Sequence, residues 1–479
     1  MKTVITNALI INEGRSFTGS VWIDGDTIVS VNEGYDMNVA PSVLNEGDAS
    51  SSANKVATGL NVAAQDGSEK EGWMSSSVNR IDARGKWLLP GVIDDQVHFR
   101  EPGLTHKGDI WSESRAAVAG GITTFMDMPN TIPQTTTLES LEWKYQRAAT
   151  VSVANYSFFF GGTNENVALI SKLDRKRVPG IKLFLGSSTG NMLVDKGEAL
   201  RRFFSETDLL IAVHAEKEEV IRRNKEEYIS KYGSFLDISF HPLIRSAEAC
   251  YASSSEAVGL AKKLGTRLHL FHLSTARELD LLDRGPLNGR KVTGEVCIPH
   301  LWFCDDDYLK FGNRIKWNPA IKTKSDRDAL RNALNDNTIA NVATDHAPHL
   351  LSEKEGSCLT AASGGPLVQH SLPTMLAMAS EGVFTKEKVV EKMAHHPSEL
   401  YRIDRRGYIR EGYYADLVLI DPDQPTTVTK NNLLYKCGWS PFEGKSFPYT
   451  VWKTFINGKE VYSDGKIRTD SVGMEIQFI

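Results

Sequence analysis

The chain has 479 residues, 41% of them hydrophobic, and a formal net charge of -5, so it can bury a large core and is too long for one ordinary domain. No lysine or arginine stripe forms, which excludes nucleic acid and acidic membrane surfaces as natural partners and leaves a small molecule. The N-terminal MKTVITNALIINEG lacks the basic and apolar regions of a secretory leader, and no run approaches the about 18 apolar residues of a membrane span; a soluble, cytoplasmic protein is expected.

Residues 2 to 32 alternate short β-rich runs with Asn, Asp and Gly turns, the pattern of a small antiparallel sheet. From about 35 to 79 the composition shifts to Ser, Ala, Asn, Gly and acidic residues without a sustained period, which reads as a loop insertion. From residue 87 a strand-then-helix pattern sets in. Strands are expected at 88–98, 121–129, 155–162, 180–185, 209–216, 268–274, 292–298 and 339–345, with helices at 109–119, 137–149, 194–205, 246–264, 275–283 and 326–335. Eight near-continuous apolar strands, most of them followed by amphipathic helices, predict an α/β fold, a (β/α)8 TIM barrel over 87–401, because parallel strands covered by helices are buried on both faces. An open doubly wound sheet would carry a Gly-rich phosphate loop after its first strand, and none is present. After residue 402 β-rich segments return, with turns at Asn457-Gly458 and Asp464-Gly465. Neither end is large enough to fold alone, so 1–86 and 402–479 are expected to combine into a small β-sandwich domain built from both chain termini. The five cysteines, Cys250, Cys297, Cys304, Cys358 and Cys437, are scattered without a CxxC pair and read as reduced thiols.

The chemistry lies where polar residues interrupt the strands. In LLPGVIDDQVHFREPG an apolar run stops at His98 and Arg100; Asn130 follows the second strand, Lys182 sits in the fourth, and His214, His272 and Asp345 close the fifth, sixth and eighth. A barrel gathers the C-terminal ends of its strands at one mouth, so these residues converge there, and three His, an Asp and a Lys suit a borderline ion such as Zn2+. A free ammonium cannot ligate a cation, and a lone one in an apolar strand costs several kcal/mol unless paired or modified. Carboxylation of Lys182 by carbon dioxide would convert it into an anionic, bridging ligand. His106, His241, His269, His395 and His396 are read as ordinary packed or surface histidines.

The segments GVIDDQVHFREPG, MDMPNTIP, GIKLFLGSSTG, VHAE, FHLST, WNPAI, TDHAPH and EGYYADLVLID, in this order, make the chain resemble the dihydroorotases of the amidohydrolase superfamily over nearly its whole length. The resemblance implies two Zn2+ ions, the first on His98 and Asp345, the second on His214 and His272, with carboxylated Lys182 between them. It further implies that Arg100, Asn130 and Asn318 hold the substrate, with His349 beside them, that Asp345 is the catalytic acid/base, and that dihydroorotate and N-carbamoyl-aspartate are the small-molecule partners of an enzyme of pyrimidine synthesis. Self-association as a homodimer is also expected. Arg100 favours this branch over hydantoinase and allantoinase relatives, because its planar fork can take a carboxylate in a bidentate pair that hydantoin and allantoin lack. One position departs from the pattern. Gln96 stands where the first His of a paired HxH motif is usual, and an amide oxygen is a weaker zinc ligand than imidazole, which leaves the occupancy of the first metal site open. Two alternatives therefore stand beside this reading: a sibling cyclic amidohydrolase (hydantoinase, dihydropyrimidinase or allantoinase), and a non-catalytic scaffold motivated by Gln96. Segment 352–366, SEKEGSCLTAASGGP, is expected to form a mobile cover.

Overall fold

A computed structural model of the chain describes residues 2–35, 78–186, 192–469 and 472–479. The insertion expected at 35–79 lies outside the described residues except at its edges, as does the 187–191 end of the Lys182 segment. Strands β1 (Lys2–Asn12), β2 (Arg15–Asp24) and β3 (Thr27–Glu33) form an antiparallel meander, and β4 (Asn79–Asp82) and β5 (Trp87–Pro90) both pair parallel to β1. The expected strand 88–98 is divided: β5 belongs to this sheet, whereas β6 (Val92–Val97) belongs to the next unit. Gly91 makes the division. A Cβ there would lie 2.1 Å from Thr123 Oγ1, so only glycine lets the chain cross at this point.

Eight parallel strand positions come next. β6, β7 (Ile122–Asp127) and β8 (Asn155–Phe158) form one ladder; β9 (Phe160–Gly161), β10 (Ile181–Phe184), β11 (Ile211–His214), β12 (Leu268–Leu270), β13 (Val292–Cys297) and β14 (Asn341–Ala343) form another. The two ladders are separate sheets linked at two places. β8 passes into β9 across Phe159, and past β6 and β14 an isolated parallel bridge joins Val97 to His346, with His98 N donating to His346 O at 2.7 Å. Nearly every position of these strands is buried, which is why they read as continuous apolar runs. Alternation sorts them: Ile181, Leu183, Ile211 and Val213 join the large cluster that includes residues of the covering helices, while Ile93, Met126, Phe159, Ala212 and Phe271 form a separate inner cluster.

The helices begin where capping residues stand. Asp109, Thr137, Ser246 and Thr323 each accept a backbone N–H in the first turn of Ile110–Ala119, Leu138–Val151, Ala247–Leu264 and Lys324–Asn335. The helix expected at 275–283 is only a short 3-10 turn, Arg277–Leu281, whereas Glu218–Tyr232 and Ser371–Ser380 are helices that the periodicity did not reveal. After them come β15 (Leu417–Asp421), the small ladder of β16 (Thr426–Thr427) and β17 (Ser446–Phe447), and then β18 (Thr450–Ile456), β19 (Lys459–Ser463) and β20 (Lys466–Ile467). β15 pairs antiparallel with both β18 and β5, so both ends of the chain share one nine-stranded sheet. A buried polar clasp fixes it to the parallel strands: Asp416 accepts from Arg406, from Asn155 Nδ2 at 3.0 Å and from Asn457 N at 2.8 Å.

Candidate active site

The strands of each ladder run parallel, so the residues at and just past their C-terminal ends collect on one side. His98 leaves β6, Asn130 comes after β7, His214 ends β11, His272 lies two residues past β12 and Asp345 two past β14. With Lys182, Arg100, Asn318 and His349 they line one cavity of about 100 Å³, so all nine residues singled out in the sequence are brought together, and Gln96 lines it with them. Arg100, His272 and Asp345 have positive φ angles of 68°, 42° and 48°, a region that side chains rarely adopt and that functional sites often tolerate.

Lys182 is 1% exposed, and its Nζ has no hydrogen-bond partner; the amine lies 4.0 Å from the centroid of the Phe271 ring and 4.9 Å from that of Phe184. Burial pushes its pKa down to about 7, against the pull of Glu295, Asp345 and Cys297. A substantial neutral fraction of the amine is therefore present near pH 7. His214 Nδ1 and His272 Nε2 face one another at 2.9 Å. The other nitrogen of His214 lies 3.0 Å from Glu216 Oε2, and Arg245 pairs with that same carboxylate oxygen. A carboxylate close behind a histidine is a usual neighbour of a metal-binding imidazole. Burial lowers the pKa of both imidazoles, keeping them neutral as ligands must be.

On the other side, His98 Nδ1 is 2.7 Å from Asn130 Oδ1, and His98 Nε2 is 3.2 Å from Asp345 Oδ1. Gln96 stands beside them: its Nε2 is 3.5 Å from Asp345 Oδ1, and its Oε1 accepts from the Cys297 thiol at 3.3 Å. A buried unpartnered amine, facing imidazole nitrogens and an adjacent carboxylate are donor types that could hold divalent cations, His214 together with His272 and His98 together with Asp345.

Another side of the cavity carries Arg100, Asn318 and His349. Arg100 is buried, donating through Nε to Pro348 O at 3.0 Å while its Nη2 lies 3.0 Å from His349 Nε2. Burial draws its pKa down to about 10, opposed by Asp345 and Asp127. Burial, with Arg100 and Lys107 adding to it, keeps His349 neutral. Asn318 Oδ1 is buried without a hydrogen-bond partner. Residues 352–366 reach the cavity through Ser363 and Gly364 and are tied to the body: Lys354 Nζ donates to Ala362 O and Gly364 O, each at 2.7 Å, and Lys107 pairs with Glu353 at 2.6 Å. The sequence reading missed Glu216, Arg245 and Cys297 as supports. Glu216 alone carried a signal, since it stands two residues beyond His214 at the end of an apolar strand.

The family model described as "Amidohydrolase family" matches residues 87–461. A dihydroorotase of Halobacterium salinarum is 36% identical over 386 residues, covering 80% of this chain and 88% of its own; an allantoinase of Streptomyces avermitilis is 31% identical, covering 79% and 85%. Among solved structures, the L-hydantoinase of Arthrobacter aurescens superposes with a TM-score of 0.86 at 23% identity, covering 99% of each chain. The chain belongs to the amidohydrolase family, among its cyclic amidohydrolases.

Proposed function

We propose that the protein is a zinc-dependent dihydroorotase, opening the ring of (S)-dihydroorotate to N-carbamoyl-L-aspartate and closing it in the opposite direction, the step used in pyrimidine synthesis. The observation that carries this choice over hydantoin or allantoin is Arg100, a buried guanidinium at the cavity next to Asn130 and Asn318. Among these three ring classes only dihydroorotate brings a carboxylate for its planar fork. His349 lies against Arg100 Nη2 and helps to hold the guanidinium.

His98 and Asp345 on one side, and His214 and His272 on the other, would hold two Zn2+ ions. The neutral amine of Lys182 would add to carbon dioxide, forming a carbamate and releasing a proton, and so supply an anionic oxygen donor to the site. Bound there, the metal would polarise the ring carbonyl and lower the pKa of water from about 15.7 toward about 7. Asp345 takes the proton of the attacking water and delivers it to the ring nitrogen as the C–N bond breaks, a general base that becomes a general acid. Arg100, Asn130 and Asn318 hold the carboxylate end so that the carbonyl faces Asp345. The proposal extends to the scaffold: the two parallel ladders form a closed (β/α)8 barrel over about 87–401, flanked by a composite β domain of 1–86 and 402–479, in a cytoplasmic homodimer.

Substrate choice tests the reading. Dihydroorotate should be turned over well above hydantoin, dihydrouracil and allantoin. Arg100→Met should cost about 1.5–3 kcal/mol of transition-state binding, roughly 10- to 100-fold in kcat/KM for dihydroorotate, and leave the uncharged rings unaffected. Equal losses on all substrates would remove Arg100 from carboxylate recognition and return the choice to the sibling activities.

A further inference from the structure

Three fully buried groups stand on the parallel strands without lining the cavity: Asp95 of β6, His269 of β12 and Glu295 of β13, each 0% exposed. One ring nitrogen of His269 and one oxygen of each carboxylate lie within 4.8 Å of one another. His269 Nδ1 lies 2.8 Å from Thr293 Oγ1, and its Nε2 lies 3.4 Å from Glu295 Oε2. An imidazole and two carboxylates thus face one another in the dry interior. The Asn341 amide donates to them, its Nδ2 lying 2.8 and 2.9 Å from the two oxygens of Asp95 and 3.5 Å from Glu295 Oε2.

Such a concentration of electron pairs is costly away from water unless a proton or a cation lies among them. The surroundings favour a cation. Thr293 supplies the outer contact that orients a metal-binding imidazole. A further oxygen, Asn341 Oδ1, is buried without a hydrogen-bond partner on a side chain that already touches both carboxylates. The Tyr401 hydroxyl bears on Asp95, with its ring 6.2 Å from that of His269. We propose that Asp95, His269 and Glu295 bind a divalent first-row transition ion at a closed, structural site separate from the catalytic cavity. Two carboxylate oxygens and one imidazole nitrogen suit Mn2+, Fe2+ or Zn2+. None of the three residues lines the cavity, so the site keeps no open position for substrate. The competing occupant is a proton, since burial raises the Glu295 carboxyl to about 8 and lowers His269 to about 4.

Anomalous diffraction from crystals of the full chain, grown with Zn2+ or with Mn2+ and measured at each metal's absorption edge, tests this without a variant. The expected result is a peak between Asp95, His269 and Glu295, distinct from those at the cavity. Peaks at the cavity alone would overturn the proposal, showing that a proton neutralises the pair, and would leave the catalytic reading intact. A map without peaks at either place would overturn both. The nearly isosteric double variant Asp95→Asn, Glu295→Gln should hold one metal fewer per chain than the parent by elemental analysis while keeping the metals bound at His214 and His272; an unchanged metal content would likewise count against the site.

Discussion

At the scale of single side chains, Lys182 and Gln96 give the proposed site its sharpest tests. The Lys182 pKa of about 7 in the folded chain lies well below the 10.5 of a free lysine, so between those values the unfolded state binds the proton more tightly, and stability rises as pH increases through that window. In metal-free protein Lys182→Met should therefore be more stable than the parent below pH 7, by about 1–4 kcal/mol, with the gap closing toward pH 10; the same variant should lose metal. Chemical denaturation across that range measures it, and a pH-independent difference would mean that the amine is not desolvated. At Gln96 the amide turns its nitrogen toward Asp345 and its oxygen toward the Cys297 thiol, an orientation that offers nothing to a cation. Gln96→His is expected to bind the first metal at least as tightly as the parent in a chelator-competition titration, and weaker binding would mean that the surroundings have adapted to glutamine.

For whole strands, the readable signal was an apolar run ended by a polar residue, and it located His98, His214, His272 and Asp345 because burial on both faces leaves few other places for such groups. Less of β6 was legible. Its register slips between Asp94 and Val97, so the adjacent residues Asp95 and Gln96 both point inward, one toward Asn341 and Glu295 and the other toward Cys297 and Asp345. A strict period of two has no place for that, and a bulge leaves no mark in the letters. His269 is a packed histidine, as its sequence context implies; its carboxylate neighbours lie 174 positions before it and 26 after it, which no local pattern connects. The division between β5 (Trp87–Pro90) and β6 (Val92–Val97) was equally hidden, since Gly91 is the sole break between them and its meaning depends on its close approach to Thr123. Thr123 is itself fixed by donating to Val92 O at 3.2 Å, so Gly91→Ala should cost about 1–3 kcal/mol in a thermal or denaturant melt. A neutral substitution would show that the crossing has slack.

For the molecule as a whole, the nine-stranded sheet joins both chain ends to the parallel strands through β5, β15 and the Asp416 clasp. Most of this was foreseeable from β-rich composition at each end; the pairing of β5 between β1 and β15 was not, because strand order depends on contacts hundreds of residues apart. The consequence is that residues from β6, β10, β11, β12 and beyond β14 meet at one cavity, which is where a pair of metal ions and a small cyclic amide would share a site. The most direct test of that claim is to measure zinc per chain and dihydroorotate hydrolysis on the same samples as metal is removed with a chelator and added back. Activity should fall and return in proportion to the zinc held. Full turnover in protein stripped of metal, or stoichiometric zinc with no ring opening of dihydroorotate, would contradict the account.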